Sequence, residues 1–80
     1  MSKKSDVITA TGTVIRESGN GFFNVSLNEP KDHECLCRAA GRLIKLKIQI
    51  LTGDNVTVEL SPYDLGRGRI VLRERNTKTN

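Results

Sequence analysis

Residues 51–73, LTGDNVTVELSPYDLGRGRIVLR, constrain the fold more tightly than any other stretch of the chain. Val56, Val58 and Leu60 alternate with Thr57 and Glu59, the period-2 pattern of a strand with one buried face. Thr52-Gly53-Asp54-Asn55 is a turn cluster ahead of it; Ser61-Pro62-Tyr63-Asp64 and Gly66-Arg67-Gly68 break the pattern behind. Alternation resumes over Arg69–Arg73. Ile70 and Leu72 share one face; Arg69, Val71 and Arg73 share the other, continued by Arg75 if the strand runs on. The stretch therefore reads as two strands, with one face for a core and the other carrying fixed positive charge.

The same pattern runs through the rest of the chain. Residues 7–17 predict a first strand with Ile8, Ala10, Gly12 and Val14 inward and threonines outward. Gly12 in its interior suggests a bend or bulge. Ser18-Gly19-Asn20-Gly21 is a hairpin turn, since Asn-Gly supplies two left-handed positions. Phe22–Asn28 follows as the second strand, with Phe23, Val25 and Leu27 inward and Phe22 outward. After a loop over residues 28–32, Cys35, Cys37 and Ala39 line the inner face of a third strand, with Leu36 and Arg38 outward. Residues 42–50, RLIKLKIQI, fit both periods: Leu43, Leu46 and Ile50 suit a helix, whereas Leu46, Ile48 and Ile50 suit a strand. A helical turn near 42–46 followed by extended chain is expected. The sum is an all-β domain over residues 7–73, a five-stranded Greek-key barrel of the OB-fold type with a short helical turn between strands three and four. Residues 1–6 and 74–80 are polar and are expected to be disordered tails.

Eighty residues make one small domain, with no room for a deep catalytic cavity. The net charge is +4 and the pI about 9.4, in the range that suits a polyanionic partner. The charge is one-sided. Residues 1–37 hold 4 basic and 5 acidic residues, residues 38–80 hold 9 and 4, and a patch in the second half follows. No apolar run is long enough for a membrane helix, and the N-terminus resembles neither a secretory signal nor a transit peptide. A cytoplasmic, membrane-free, monomeric protein is expected, with the chloroplast stroma as the compartment if the gene is plastid-encoded. Cys35 and Cys37 are expected to be free buried thiols in a reducing compartment.

Ile50–Arg73 closely resembles the C-terminal half of bacterial translation initiation factor one, a family also found in chloroplasts. Gly12-Thr13-Val14, Phe23-Asn24-Val25-Ser26-Leu27, His33 and Ala40-Gly41-Arg42 stand in the family's order, so the resemblance spans about residues 6–75. It implies the same OB-fold and no catalysis. It also implies binding to 16S ribosomal RNA of the small (30S) subunit at the decoding site, and assembly with the other initiation factors. There are departures. Ala40-Gly41-Arg42-Leu43-Ile44-Lys45 replaces the usual serine-glycine-lysine-methionine-arginine-lysine run, so Ile44 stands at a basic position. Lys47 replaces an aromatic, and the 28–32 loop is about two residues longer. A second reading on the same fold is a general single-stranded RNA or DNA binder of the cold-shock type, although the clustered strand aromatics of such proteins are missing. A third is a protein-interaction module whose basic face is incidental.

The candidate RNA-binding cations are Arg38, Arg42, Lys45 and Lys47 in one cluster and Arg67, Arg69 and Arg73, with Arg75, in the other. The bland alternative is an ordinary solvated face. Phe22 and Tyr63 are candidate stacking rings, although the residues alone favour packing, of Phe22 at a barrel end under a loop and of Tyr63 in a turn against the barrel. His33 is a further candidate contact. His33, Cys35 and Cys37 alternate on one strand face, but a structural zinc needs four ligands and the chain has no other His or Cys. No cofactor or metal is expected. Asp54 and Asp64 are read as turn residues bonded to backbone, not as catalytic groups.

Overall fold

The computed structural model describes residues 7–29 and 33–74. Its elements are β1 (Ile8–Gly19), β2 (Phe22–Leu27), β3 (Glu34–Ala39), α1 (Gly41–Lys45), β4 (Asn55–Ser61) and β5 (Asp64–Glu74). The strands close into a barrel in the order β1-β2-β3-β5-β4, all-β as expected, with the short helix between β3 and β4. The expected tails and Arg75 lie outside the described residues, as does most of the 28–32 loop; Glu74 is the last residue of β5.

Turn chemistry and register explain the closure. Asn20 and Gly21 have φ of 54° and 81°, the two left-handed positions of a tight hairpin, between the paired Gly19 and Phe22. Gly12 is where β1 changes partner, pairing with Val56 of β4 on one side and Leu27 of β2 on the other. A Cβ on Gly12 would lie 2.5 Å from the Ser26 carbonyl oxygen, so the strands meet closely only because no side chain intervenes. A bulge at Ile15, between Val14 and Arg16, turns that side chain out to solvent.

The core is the inward parity of the strands: Val14, Phe23, Val25, Leu27, Cys35, Cys37, Val56, Val58, Leu60 and Ile70, closed at one end by Leu43 and Ile50. Both cysteines are free, with their sulfurs 3.6 Å apart. The hydrogen bond shared with Cys35, together with burial, pushes the Cys37 thiol far up, so it stays protonated and behaves as an apolar side chain. Asp54 is buried and accepts from Leu51 N–H at 2.9 Å, the turn role expected of it. Asp64 likewise accepts from Gly66 N–H at 3.2 Å.

The structure corrects the reading of residues 61–73 in two places. The β4–β5 turn is only Pro62–Tyr63, flanked by the paired Ser61 and Asp64, and Gly66-Arg67-Gly68 belongs to β5. A Cβ on Gly68 would collide with Leu60 Cδ2 and lie 2.8 Å from the Glu59 carbonyl oxygen and 3.4 Å from Cys37 Sγ. This glycine serves close strand approach, not a turn. Second, Val58 pairs with Ile70 but Thr57 pairs with Leu72, so Val71 is bulged and the parity of β5 reverses after Ile70. Leu72, expected in the core, is 52% exposed, and Arg73 moves to the inward parity beside Val56.

Extended chain after a helical turn is observed, but Leu46 is 62% exposed. Lys47, at φ 58°, redirects the chain so that Ile48 and Ile50, not Leu46, pack on the barrel.

Gly68→Ala is predicted to lower stability by about 1–3 kcal/mol through overpacking. Gly66→Ala, where the added Cβ would meet only Asp64 Oδ1 at 3.6 Å, should change it by less than about 0.5 kcal/mol. Urea midpoints at constant m-value measure the difference.

Candidate nucleic-acid interface

The outward parity of the β2-β3-β5-β4 wall carries a row of four side chains. Register places Phe22 beside Arg38, Arg38 beside Arg69, and Arg69 beside Glu59. Strands spaced about 4.8 Å apart make this row roughly 15 Å long. The Arg38 guanidinium carbon lies 5.5 Å from the centroid of the Phe22 ring. Arg69 Nη2 donates to Glu59 Oε1 at 3.0 Å. Both arginines are exposed.

Two guanidiniums on directly paired positions repel one another. Here each is held from its far side, Arg38 by an aromatic face and Arg69 by a carboxylate. Neither contact is strong: the cation–π contact is worth about 0.5–1 kcal/mol at an exposed site. The ion pair, with Arg69 61% exposed, is worth at most about 1 kcal/mol. Each guanidinium has five N–H donors, and most remain directed at solvent. The next row along the strands is Asn24, Leu36 and Arg67, so Arg67 adds a third exposed guanidinium beside the first two.

The helical cluster borders the same wall. The chain leaves β3 through Ala40, whose N–H donates to Ile70 carbonyl at 2.9 Å, and α1 then buries Leu43. Arg42 reaches back to donate to the Val71 carbonyl at 3.3 Å. Lys45 and Lys47 are exposed. An open groove of about 420 Å³ runs between the β1–β2 turn and the chain after α1, lined among others by Glu17, Asn20, Arg38, Ile44 and Lys47. A second recess between α1 and β5 is lined by Gly41, Arg42, Glu59 and Arg69. Open, cation-walled grooves floored by glycine, alanine and aliphatic groups suit a nucleic-acid strand.

The structure thus brings together Phe22, Arg38, Arg67 and Arg69 on the sheet, with Arg42, Lys45 and Lys47 along its border. Three predicted residues lie apart. His33 is at the far end of β3, five residues and roughly 16 Å along the strand from Arg38; its Nε2 contacts the Leu65 carbonyl at 2.9 Å. Tyr63 sits at the β4–β5 turn and is 87% exposed, so it neither packs on the barrel nor joins the row. Arg73 follows the reversed parity of β5 over the barrel end. Its Nη1 donates to the Gln49 carbonyl at 2.7 Å, and its buried Nε has no hydrogen-bond partner among the described residues. Among these residues no group of three His, Cys, Asp or Glu converges to hold a metal. Glu59, Glu17 and Asn20 were not anticipated at the interface. The outward parity of Glu59 in β4 was visible, but its pairing with Arg69 depends on where the hairpin turns.

Comparison with known proteins follows the same line. A family model described as "Translation initiation factor 1A / IF-1" matches residues 2–80. Translation initiation factor IF-1 of Rickettsia bellii (strain OSU 85-389) is 47% identical over 73 residues, covering 91% of this chain and 97% of the relative. The factor of the same name from Solibacter usitatus (strain Ellin6076) is 49% identical over 74 residues, covering 90% and 97%. The solution structure of the same initiation factor from the Wolbachia endosymbiont (strain TRS) of Brugia malayi superposes with a TM-score of 0.72. It is 32% identical and covers 95% of this chain and 87% of that one.

Arg73→Ala should cost about 1.5–3 kcal/mol, the range for a hydrogen bond from a charged group, and should loosen residues 46–51. Arg67→Ala should leave stability within about 0.5 kcal/mol. Urea unfolding combined with amide hydrogen exchange reads both.

Proposed function

The chain belongs to the translation initiation factor 1A / IF-1 family, and from that premise we propose that its β2-β3-β5 wall binds 16S ribosomal RNA at the decoding site of the 30S subunit. The protein acts in translation initiation, and its relatives are non-enzymatic factors. The observation that carries the reading is the row Phe22–Arg38–Arg69–Glu59. Adjacent like charges weaken the fold and are explained by a polyanion that neutralises them.

Arg38 and Arg69 fork onto phosphate oxygens, which a lysine cannot do with two parallel bonds. Phe22, already under the Arg38 guanidinium, extends a flat surface on which an unpaired base stacks. Lys45, Lys47 and Arg67 add unspecific attraction at the border. Arg42 acts partly through the barrel, because its guanidinium is engaged with the β5 backbone. A domain seated in this way occupies the position of the aminoacyl-tRNA and blocks its premature entry. The other initiation factors assemble around it, in the bacterial cytoplasm, with this chain as a monomer.

Binding to purified 30S subunits across a salt series tests the proposal. Wild-type protein should bind with steep salt dependence and be displaced by an aminoglycoside that occupies the decoding site. Arg38→Ala and Arg69→Ala should each weaken binding about tenfold, the equivalent of about 1.4 kcal/mol, and lower the salt slope by about one while unfolding normally. Affinity for an oligo-pyrimidine strand equal to that for 30S subunits would overturn the proposal in favour of a general single-strand binder.

A further inference from the structure

The barrel end remote from Arg38 has a different chemistry. Ile8 and Ala10 of β1, Leu27 at the end of β2, Leu60 near the end of β4 and Leu65 at the start of β5 surround a partly open pocket of about 120 Å³. Glu29 and His33 complete its lining. Leu27 and Leu60 are buried and form the floor, whereas Ile8 and Leu65 are 41% and 43% exposed at the rim. The contact of His33 Nε2 with the Leu65 carbonyl ties the entry of β3 to β5, so the wall is held by the fold. A cavity of roughly 150 Å³ accommodates a benzene ring. This pocket is of the size for one aliphatic or aromatic side chain. Single exposed apolar residues are ordinary, but a set gathered around a concavity marks a binding surface.

Charge distinguishes the possible occupants. Among the described residues no lysine or arginine lines this pocket, although the protein as a whole carries a net +4. Glu29 is exposed at the rim and makes no ion pair among the described residues. A phosphate backbone would meet the Glu29 carboxylate and be repelled. A second copy docked symmetrically would set Glu29 against its own image.

We propose that this barrel end is a protein-docking site, taking one leucine-sized apolar side chain in the pocket with a lysine or arginine beside it against Glu29. The pocket lies at the opposite end of β3 from Arg38 and Arg69, the paired guanidiniums of the RNA-binding wall, with Arg67 of β5 between them. A basic-apolar protein segment can therefore be held while the cationic wall is occupied.

Methyl-detected NMR of the full chain tests this with three blocked pentapeptides, GKLKG, GKAKG and GDLDG. GKLKG is expected to give saturable shifts at Ile8, Leu27, Leu60 and Leu65, with GKAKG and GDLDG each at least fivefold weaker. Glu29→Lys, at an exposed position that leaves the core untouched, should weaken GKLKG by at least threefold and favour GDLDG. Ala10→Phe, which fills the pocket, should abolish the shifts while leaving salt-dependent 30S binding intact. Failure of 30S binding in the wild type would overturn the RNA proposal and not this one. Absence of shifts, equal response to all three peptides, shifts confined to the Arg38–Arg69 wall, or concentration-dependent self-association through this end would each overturn the docking proposal.

Discussion

Closure of the barrel by the parallel pairing of β3 with β5 is the contact on which the rest of the structure depends. It is made where Cys37 lies against Gly68, and it needs a residue with no side chain, because Leu60, the Glu59 carbonyl and the Cys37 sulfur already occupy the space. Once those strands meet, Arg38 falls beside Arg69 and Leu36 beside Arg67. The ladder then continues into the hydrogen bond from Ala40 to Ile70, which launches α1 along the same wall. Residues 31 positions apart become one surface through that single seam.

The basic residues divide by what their guanidiniums touch. Arg42 and Arg73 donate to main-chain carbonyls, Val71 and Gln49, and fasten α1 and the following segment to β5. Arg38, Arg67 and Arg69 stand on the outer surface with most of their donors turned to solvent. A charge count does not separate these roles; strand parity does. Positive charge near a barrel is partly structural; the portion left open to solvent is Arg38, Arg67 and Arg69 on the outward parity of β3 and β5, with Lys45 and Lys47 at the border.

Much of the fold was legible in the chain because alternation and turn chemistry agree along most of it. Asn20-Gly21 could form little but a tight hairpin, and Phe23, Val25, Leu27, Cys35 and Cys37 are buried as their parity required. The outward placement of Phe22 and Arg38 followed from the same count. The misses share a cause: parity fails wherever one residue is bulged, and nothing in Ile70-Val71-Leu72 announces a bulge. It reversed the assignments of Leu72 and Arg73 together. Gly66 and Gly68 suggest a turn by sequence because glycine serves both turns and close approach, and only the neighbours decide between them. Leu46 was misplaced because the left-handed residue after it is a lysine, which composition does not flag. The pairing of Glu59 with Arg69 required a register that a misplaced hairpin turn had shifted.

The central claim is that the wall built on the β3–β5 seam faces ribosomal RNA. Chemical probing of 16S RNA in 30S subunits, with and without the bound protein, tests it most directly. The account predicts one compact block of protected nucleotides at the decoding site, lost when Arg38 and Arg69 are both replaced by alanine in a protein that remains folded. Protection elsewhere on the subunit, or a decoding-site block that survives the double replacement, would contradict it.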